Sequence, residues 1–77
     1  MTDNMRICGY EDTIRGLAED GDLALYINRL LRNIVSDTGH PEYNKGVEDA
    51  LRARFAAYGL DFGQALKTMR NIHARKG

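Results

Sequence analysis

The chemically reactive side chains of this chain of 77 residues are scattered singly rather than grouped in a catalytic pattern. Cys8 is the only cysteine, and His40 and His73 have neither a second cysteine nor a nearby ligand pair at the spacing of a zinc site. The sequence contains no phosphate-binding glycine loop, nucleophile elbow, paired metal-binding histidines or Cys-x-x-Cys motif. We therefore expect no metal and no cofactor.

Adjacent carboxylates do not supply acid–base chemistry either. Glu19 and Asp20 are consecutive, as are Glu48 and Asp49. Consecutive side chains on a helix point about 100° apart, so neither pair can converge on one reacting group. The sequence predicts a protein that is not an enzyme.

Arginine, lysine and tyrosine side chains are the best candidates for binding a partner, because such residues often anchor interfaces. The candidate partner-binding residues are Arg29, Arg32, Tyr43, Arg54, Lys67 and Arg70. Residues 1–38 carry four arginines against seven acidic residues, a net charge of −3, and residues 39–77 carry +3. An anionic partner should therefore meet the C-terminal half.

The segment around Gly59 is also compatible with a DNA-binding helix-turn-helix. In this alternative, helices over residues 47–58 and 61–73 flank a short turn, and the second helix enters the major groove. The side chains that would meet phosphates or bases are Gln64, Lys67, Arg70, Asn71 and Arg75. The net charge of zero and the pI of about 6.7 argue against DNA, whose binding depends on basic residues. Nucleic acid is therefore the second choice of partner.

Two stretches, beginning at Gly21 and at Phe62, carry a family resemblance. The residues concerned are Gly21-Asp22 followed by Leu25, Leu30 and Ile34 up to Gly39, and Phe62 with Ala65-Leu66-Lys67 and Met69-Arg70. They resemble the flanks of the addiction-module antidote family, prophage-type antitoxins with a helix-turn-helix. The Arg-x-x-Leu-Tyr pattern of that family's DNA-reading segment is absent from residues 40–60. No site residue is transferred from the resemblance.

The length of the chain predicts one domain, near the size at which a single core is marginal. A second copy could complete such a core, so a homodimer is an alternative to a monomer. No apolar run approaches the roughly 20 residues of a membrane helix, and the first residues lack a signal pattern. With a lone thiol at Cys8, these features predict a soluble cytoplasmic protein with no membrane partner.

The strongest helical periodicity lies between Asp22 and Gly39. Apolar residues recur there at steps of three and four, namely Leu23, Ile27, Leu30 and Ile34. We expect Asp22 to cap the start of this helix and Gly39 to end it. The apolar face is wide enough to predict a central helix against which at least two others pack.

A first helix is expected from about Tyr10 to Asp20, behind a loose arm of residues 1–8. Its predicted apolar face consists of Tyr10, Ile14, Leu17 and Ala18. Together with the central helix, it would account for the N-terminal half.

A third helix is predicted over residues 47–58, and residues 41–46 form either a loop or its first turn. The fourth helix should start at Asp61, because Asp61 and Gln64 make a capping-box pattern, and residues 74–77 should be a loose tail. The apolar faces of these helices are Val47, Ala50, Leu51, Phe55 and Tyr58, and Phe62, Ala65, Leu66, Met69 and Ile72. Tyr26 and Tyr58 are expected in the core with their hydroxyls at the surface.

The predicted fold class is all-α, a compact bundle of about four short helices. The expected function is that of a small regulator or inhibitor that occupies a surface on a larger protein. Such proteins are encoded by phages and mobile elements, for example to inhibit a host defence complex or transcription. The alternative is a helix-turn-helix transcriptional regulator or antitoxin.

Overall fold

A computed structural model describes the backbone of residues 2–76 and the side chains of residues 4–75. Over that range the protein is all-α, as the sequence predicts. Its helices are α1 (Thr2–Glu19), α2 (Leu23–Val35), α3 (Pro41–Ala57) and α4 (Phe62–Lys76). None of the described helices is long and apolar enough to cross a membrane.

The closest helix pair is α1 and α3, which run antiparallel with their backbones in contact. A Cβ added to Gly46 would overlap the carbonyl of Arg6, and one added to Gly9 would overlap the carbonyl of Tyr43. Thr13 is 1% exposed, and its hydroxyl donates to the carbonyl of Gly9 at 2.8 Å. Small residues thus allow the two helices to approach more closely than ordinary side chains permit.

Two polar contacts join α1 to α3 on either side of these glycines. The Arg6 guanidinium lies 2.8 Å from the Asp49 carboxylate, and the Tyr43 hydroxyl donates to Oδ2 of Asp12 at 2.6 Å. Each contact links the first part of one helix to the middle of the other. They fix the antiparallel register of the pair.

Helix α3, rather than α2, is the centre of the fold. Both helices pack against all three others, but α3 has four buried residues, including the fully buried Ala50 and Leu51, and α2 has one. The prediction of a central α2 is therefore wrong, but the prediction that at least two helices pack against it is confirmed, since α2 packs against α1, α3 and α4. Leu31 is its only fully buried side chain, whereas Leu23 is 38% exposed. The core consists of Leu17, Leu31, Val47, Ala50, Leu51, Phe62 and Leu66.

The predicted loose arm is wrong over residues 2–8, because α1 already begins at Thr2. Met1 lies outside the described residues. Of the predicted apolar face, Leu17 is buried, but Tyr10 is 41% exposed and Ala18 is exposed. The inward face is instead formed by Gly9, Thr13 and Leu17, because backbone contact with α3 requires small residues there.

The predicted caps at the starts of α2 and α4 are confirmed. Oδ1 of Asp22 accepts from the Leu25 amide at 3.1 Å, and Oδ1 of Asp61 accepts from the Gln64 amide at 3.2 Å. Each carboxylate satisfies an amide that has no partner within its helix. Both helix starts follow from local sequence.

The prediction that Gly39 ends α2 is wrong, because the helix stops at Val35. Asp37 takes the left-handed conformation, with φ of 56°, and the Thr38 amide donates back to the Asn33 carbonyl at 3.0 Å. Aspartate tolerates this conformation better than most residues with a side chain. The capping motif therefore forms two residues earlier than the glycine.

Residues 41–46 are the first turns of α3, with Pro41 at its start. Nδ1 of His40 accepts from the Glu42 amide at 3.2 Å and caps the helix. At the other terminus, α4 stays helical through Lys76, so the predicted loose tail is wrong for residues 74–76. Gly77 lies outside the described residues.

We predict that Gly46→Ala destabilises the fold by about 3 kcal/mol, because the added methyl group meets the Arg6 carbonyl. In an isolated helix, Gly→Ala would instead stabilise by about 1 kcal/mol. Gly21→Ala is the matched control, since its Cβ would meet nothing within 4 Å. Urea unfolding of both variants measures the difference, and equal stabilities would contradict backbone contact between α1 and α3.

Candidate partner-binding surface

Helix α4 carries only basic charges. It contains Lys67, Arg70, Arg75 and Lys76 and no aspartate or glutamate. The side chains of Lys67, Arg70 and Arg75 are exposed. Because no carboxylate lies on the same helix, their charge is not compensated by a neighbour one turn away. The predicted positive character of the C-terminal half is concentrated on this helix.

Basic residues of α3, in contrast, have acidic neighbours. Lys45 lies 3.5 Å from Glu42, and Arg52 lies 3.1 Å from Glu48. The Arg52 guanidinium also lies over the Phe62 ring, 5.0 Å from its centroid. These basic side chains are paired with other side chains of the fold. Helix α4 is therefore the main source of positive potential on the surface.

A small cleft separates α2 from the C-terminal half of α4. It has a volume of about 110 Å³ and is lined by Arg32, Met69, Ile72 and His73. Arg32 and His73 are exposed, and Ile72 is 45% exposed. The cleft therefore combines an apolar floor with a guanidinium and an imidazole at its rim. We refer to these four residues as the basic cleft.

Arg70 lines a neighbouring groove of about 220 Å³ between α4 and the start of α3. The other lining residues are Ile34, Asp37, Pro41, Asn44, Lys45 and Glu48. Two carboxylates in this groove partly offset the charge of Arg70. Its potential is therefore weaker than that of the basic cleft.

The remaining predicted site residues do not converge on the cleft. The Arg29 guanidinium lies over the Tyr26 ring, 5.6 Å from its centroid. Arg54 is half-buried in the last turn of α3, and Lys67 lies on the outer face of α4. The structure thus places Arg32 in the basic cleft and leaves Arg29 and Arg54 outside its lining.

Tyr43 is half-buried and linked to Asp12, so it is not the free surface aromatic expected of an anchor. The hydrogen bond to the Asp12 carboxylate, with partial burial, raises the pKa of Tyr43 to about 12. Burial raises the pKa of Tyr26 as well. Tyr26 was predicted in the core; it is half-buried against the core, and its hydroxyl lies against Gly16 of α1. Tyr58 is 64% exposed, so its predicted core position is wrong.

Three residues of the basic cleft are not among the partner-binding residues predicted from the sequence. Met69 and Ile72 were expected in the core, and His73 was not a candidate for partner binding. Their spacing places them on neighbouring turns of α4, which is the only signal the sequence offers. That they line a cleft with Arg32 depends on how α2 packs against α4.

The described part of the chain was also compared with the donor sets that hold metal ions. No group of three histidine, cysteine or acidic residues there is placed to hold a metal ion. Cys8 is exposed on α1.

Comparisons with known proteins found no match to any family model, characterised protein or solved structure. The resemblance to the antidote family is therefore not supported by a family match.

Tyr43 should make the stability of the protein depend on alkaline pH. Its folded pKa of about 12 exceeds the ordinary value of 10.0, so the native state holds the proton more tightly than the unfolded chain. This stabilisation is complete below pH 10 and is lost as the pH rises towards 12.

We predict that Tyr43→Phe lowers the free energy of unfolding by about 1–2 kcal/mol at neutral pH, because the bond to Asp12 is lost. The variant should also lose less stability than the wild type between pH 10 and 12. Tyr58→Phe, at an exposed hydroxyl, is the control and should match the wild type. Denaturant unfolding across this pH range measures the effect, and parallel curves for Tyr43→Phe and the wild type would contradict it.

Proposed function

We propose that the protein is a small cytoplasmic regulator or inhibitor that binds a larger protein through the basic cleft and the adjoining face of α4. The supporting observation is the composition of the cleft, in which Arg32 and His73 border the exposed apolar side chain of Ile72. The occupant would be a carboxylate-bearing side chain beside an apolar one on the partner.

The size of the basic cleft favours a protein partner over a metabolite. Pockets for small molecules occupy about 300–1,000 Å³, and the cleft encloses about 110 Å³. Such a volume accommodates a side chain of a partner protein. Arg32 offers a planar guanidinium for a two-point contact with a carboxylate, and Met69 and Ile72 offer apolar contact beside it.

The charge of α4 extends the same surface towards an acidic partner. Lys67 and Arg75 are exposed on a helix without carboxylates, so they would steer acidic surfaces towards the cleft. With no catalytic motif in its sequence, the protein would act by occupying a surface of its partner. We infer a role of the kind served by inhibitors from phages and mobile elements, for example against a host defence complex.

The partner should be captured from a nuclease-treated bacterial lysate by the tagged protein and identified by mass spectrometry. We predict that Arg32→Gln weakens its binding about tenfold or more, since an anchoring arginine is lost. Arg54→Gln, outside the lining of the cleft, is the matched control and should bind like the wild type. Capture that is insensitive to Arg32→Gln, or equally sensitive to both variants, would contradict the cleft as the binding site.

DNA binding is the second candidate, because the outer face of α4 presents polar and basic side chains. Gln64, Lys67, Asn71 and Arg75 are exposed, and the turn before α4 contains Gly59 at φ of 72°. A helix of this kind could meet phosphates and base edges in a major groove. The neutral net charge of the chain is the argument against it.

If α4 binds DNA, its affinity for duplex should fall steeply as the salt concentration rises. The slope of log affinity against log salt concentration should become shallower by about one unit for each phosphate contact that is removed. Lys67→Ala should reduce this slope, whereas Lys45→Ala, beside Glu42 on α3, should not. Fluorescence anisotropy with labelled duplex at several salt concentrations measures both. Absence of binding at low salt would eliminate this candidate and leave the protein partner.

A further inference from the structure

The outer face of α1 carries an unpartnered stripe with the spacing of a helix–helix interface. Asn4, Ile7, Glu11, Ile14 and Ala18 recur at alternating steps of three and four. They lie opposite the inward face, and all are exposed except the half-buried Ile14. We refer to these five residues as the outer stripe.

The described fold leaves the outer stripe exposed except at the half-buried Ile14. Helix α1 packs against α3 and, where Gly16 meets the Tyr26 ring, against α2, and it makes no contact with α4. Ile7 is 53% exposed and Tyr10 is 41% exposed. Along the same face runs a shallow groove of about 320 Å³, lined by Tyr10, Glu11, Ile14 and Arg15. Ile7 and Ile14 thus lie two turns apart on one face of α1, with Ile7 open to solvent.

The accessible surface of the chain is also larger than that of a typical compact monomer of the same mass. Its accessible surface is 5291 Å² for 8.7 kDa, against about 4,700 Å² for a typical compact monomer of that mass. Burial of one additional helix face in a complex would remove this excess accessible surface. A small core completed by a second copy is a common solution at this size.

The charges on this face identify the occupant. Glu11 lies in the middle of an apolar stripe, and Arg15 follows it by one helical turn. Arg15 has only a long contact in the monomer, 3.5 Å to the Asp12 carboxylate, with both side chains largely exposed. In the described structure Arg15 contacts Asp12 rather than Glu11, so an apolar partner would bury the Glu11 carboxylate unpaired. A second, antiparallel copy of α1 supplies a counter-ion, because in a two-fold interface each contact occurs twice.

A single register pairs the members of the stripe from Ile7 to Ala18. Pairing Glu11 with Arg15 of the other copy places the two-fold axis level with residue 13. Pairing Ile7 with Ala18 of the other copy places it half a residue away, a difference of about 0.75 Å along the helix. Ile14 of each copy then lies beside the axis. The apolar pairs and the charged pairs therefore require the same arrangement.

We propose that the chain forms a symmetric homodimer through the outer stripe, with two antiparallel α1 helices, reciprocal Glu11–Arg15 pairs and Ile14 at the centre. The basic cleft is formed by α2 and α4, so dimerisation leaves it accessible. The dimer would present two basic clefts to its partners.

Charge reversal tests both the dimer and its register. Sedimentation equilibrium of the wild type should give twice the chain mass. Glu11→Arg and Arg15→Glu alone each place like charges opposite each other twice, so each should weaken self-association about tenfold or more. An equimolar mixture of these two variants restores both pairs and should recover the dimer, as should the double variant.

Lys67→Glu, an equal charge reversal on exposed α4, is the control and should dimerise like the wild type. Circular dichroism establishes that each variant keeps its helices. A wild type that remains monomeric into the high micromolar range overturns the proposal. A dimer that withstands the single reversals, or variants that do not recover on mixing, overturns this interface. None of these outcomes depends on partner binding at Arg32, so this proposal and the proposed function fail separately.

Discussion

The backbone contact between α1 and α3 is the constraint on which the rest of the structure depends. It exists because Gly9 lies against the backbone of Tyr43, and Gly46 against that of Arg6, with no room for a Cβ at either glycine. Once the helices meet at these points, Arg6 comes within reach of Asp49 and Tyr43 within reach of Asp12. The polar contacts follow from the glycines, since side chains of ordinary size would separate the helices.

This contact also decides which surfaces remain free. Because Gly9 and Thr13 of α1 face α3, the large apolar side chain of Ile7 is left on the outer side, 53% exposed. Helices α2 and α4 pack on other sides of α3, and the cleft between them brings Arg32 beside Ile72 and His73. Over the described residues α1 and α4 do not touch. The two proposed binding surfaces therefore lie on different helices and can be occupied together.

The sequence predicted best what depends on neighbours along the chain. The carboxylates of Asp22 and Asp61 cap the helices that follow them, because an N-cap requires only the next few residues. The central role given to α2 failed for a different reason. The regular apolar period of α2 shows that one face is apolar but not how deeply that face is buried, and α3, with its weaker pattern, became the centre. The prediction of Tyr43 as an anchor has a similar limit. Its residue type is visible in the sequence, but its hydrogen bond to Asp12 is not.

The sequence by itself determined the all-α class, the starts of α2 and α4, the absence of a catalytic motif and the exclusively basic charge of α4. Each of these depends on composition or on contacts within one or two turns. Tertiary structure alone decided that residues 2–8 are helical, that Gly9 and Gly46 join two helices, and that Arg32 meets Met69, Ile72 and His73. Helical periodicity gives the angle at which a side chain leaves its own helix. It does not give the neighbouring helix or the distance between the two axes, and those two quantities decide which surfaces are buried and which remain free to bind.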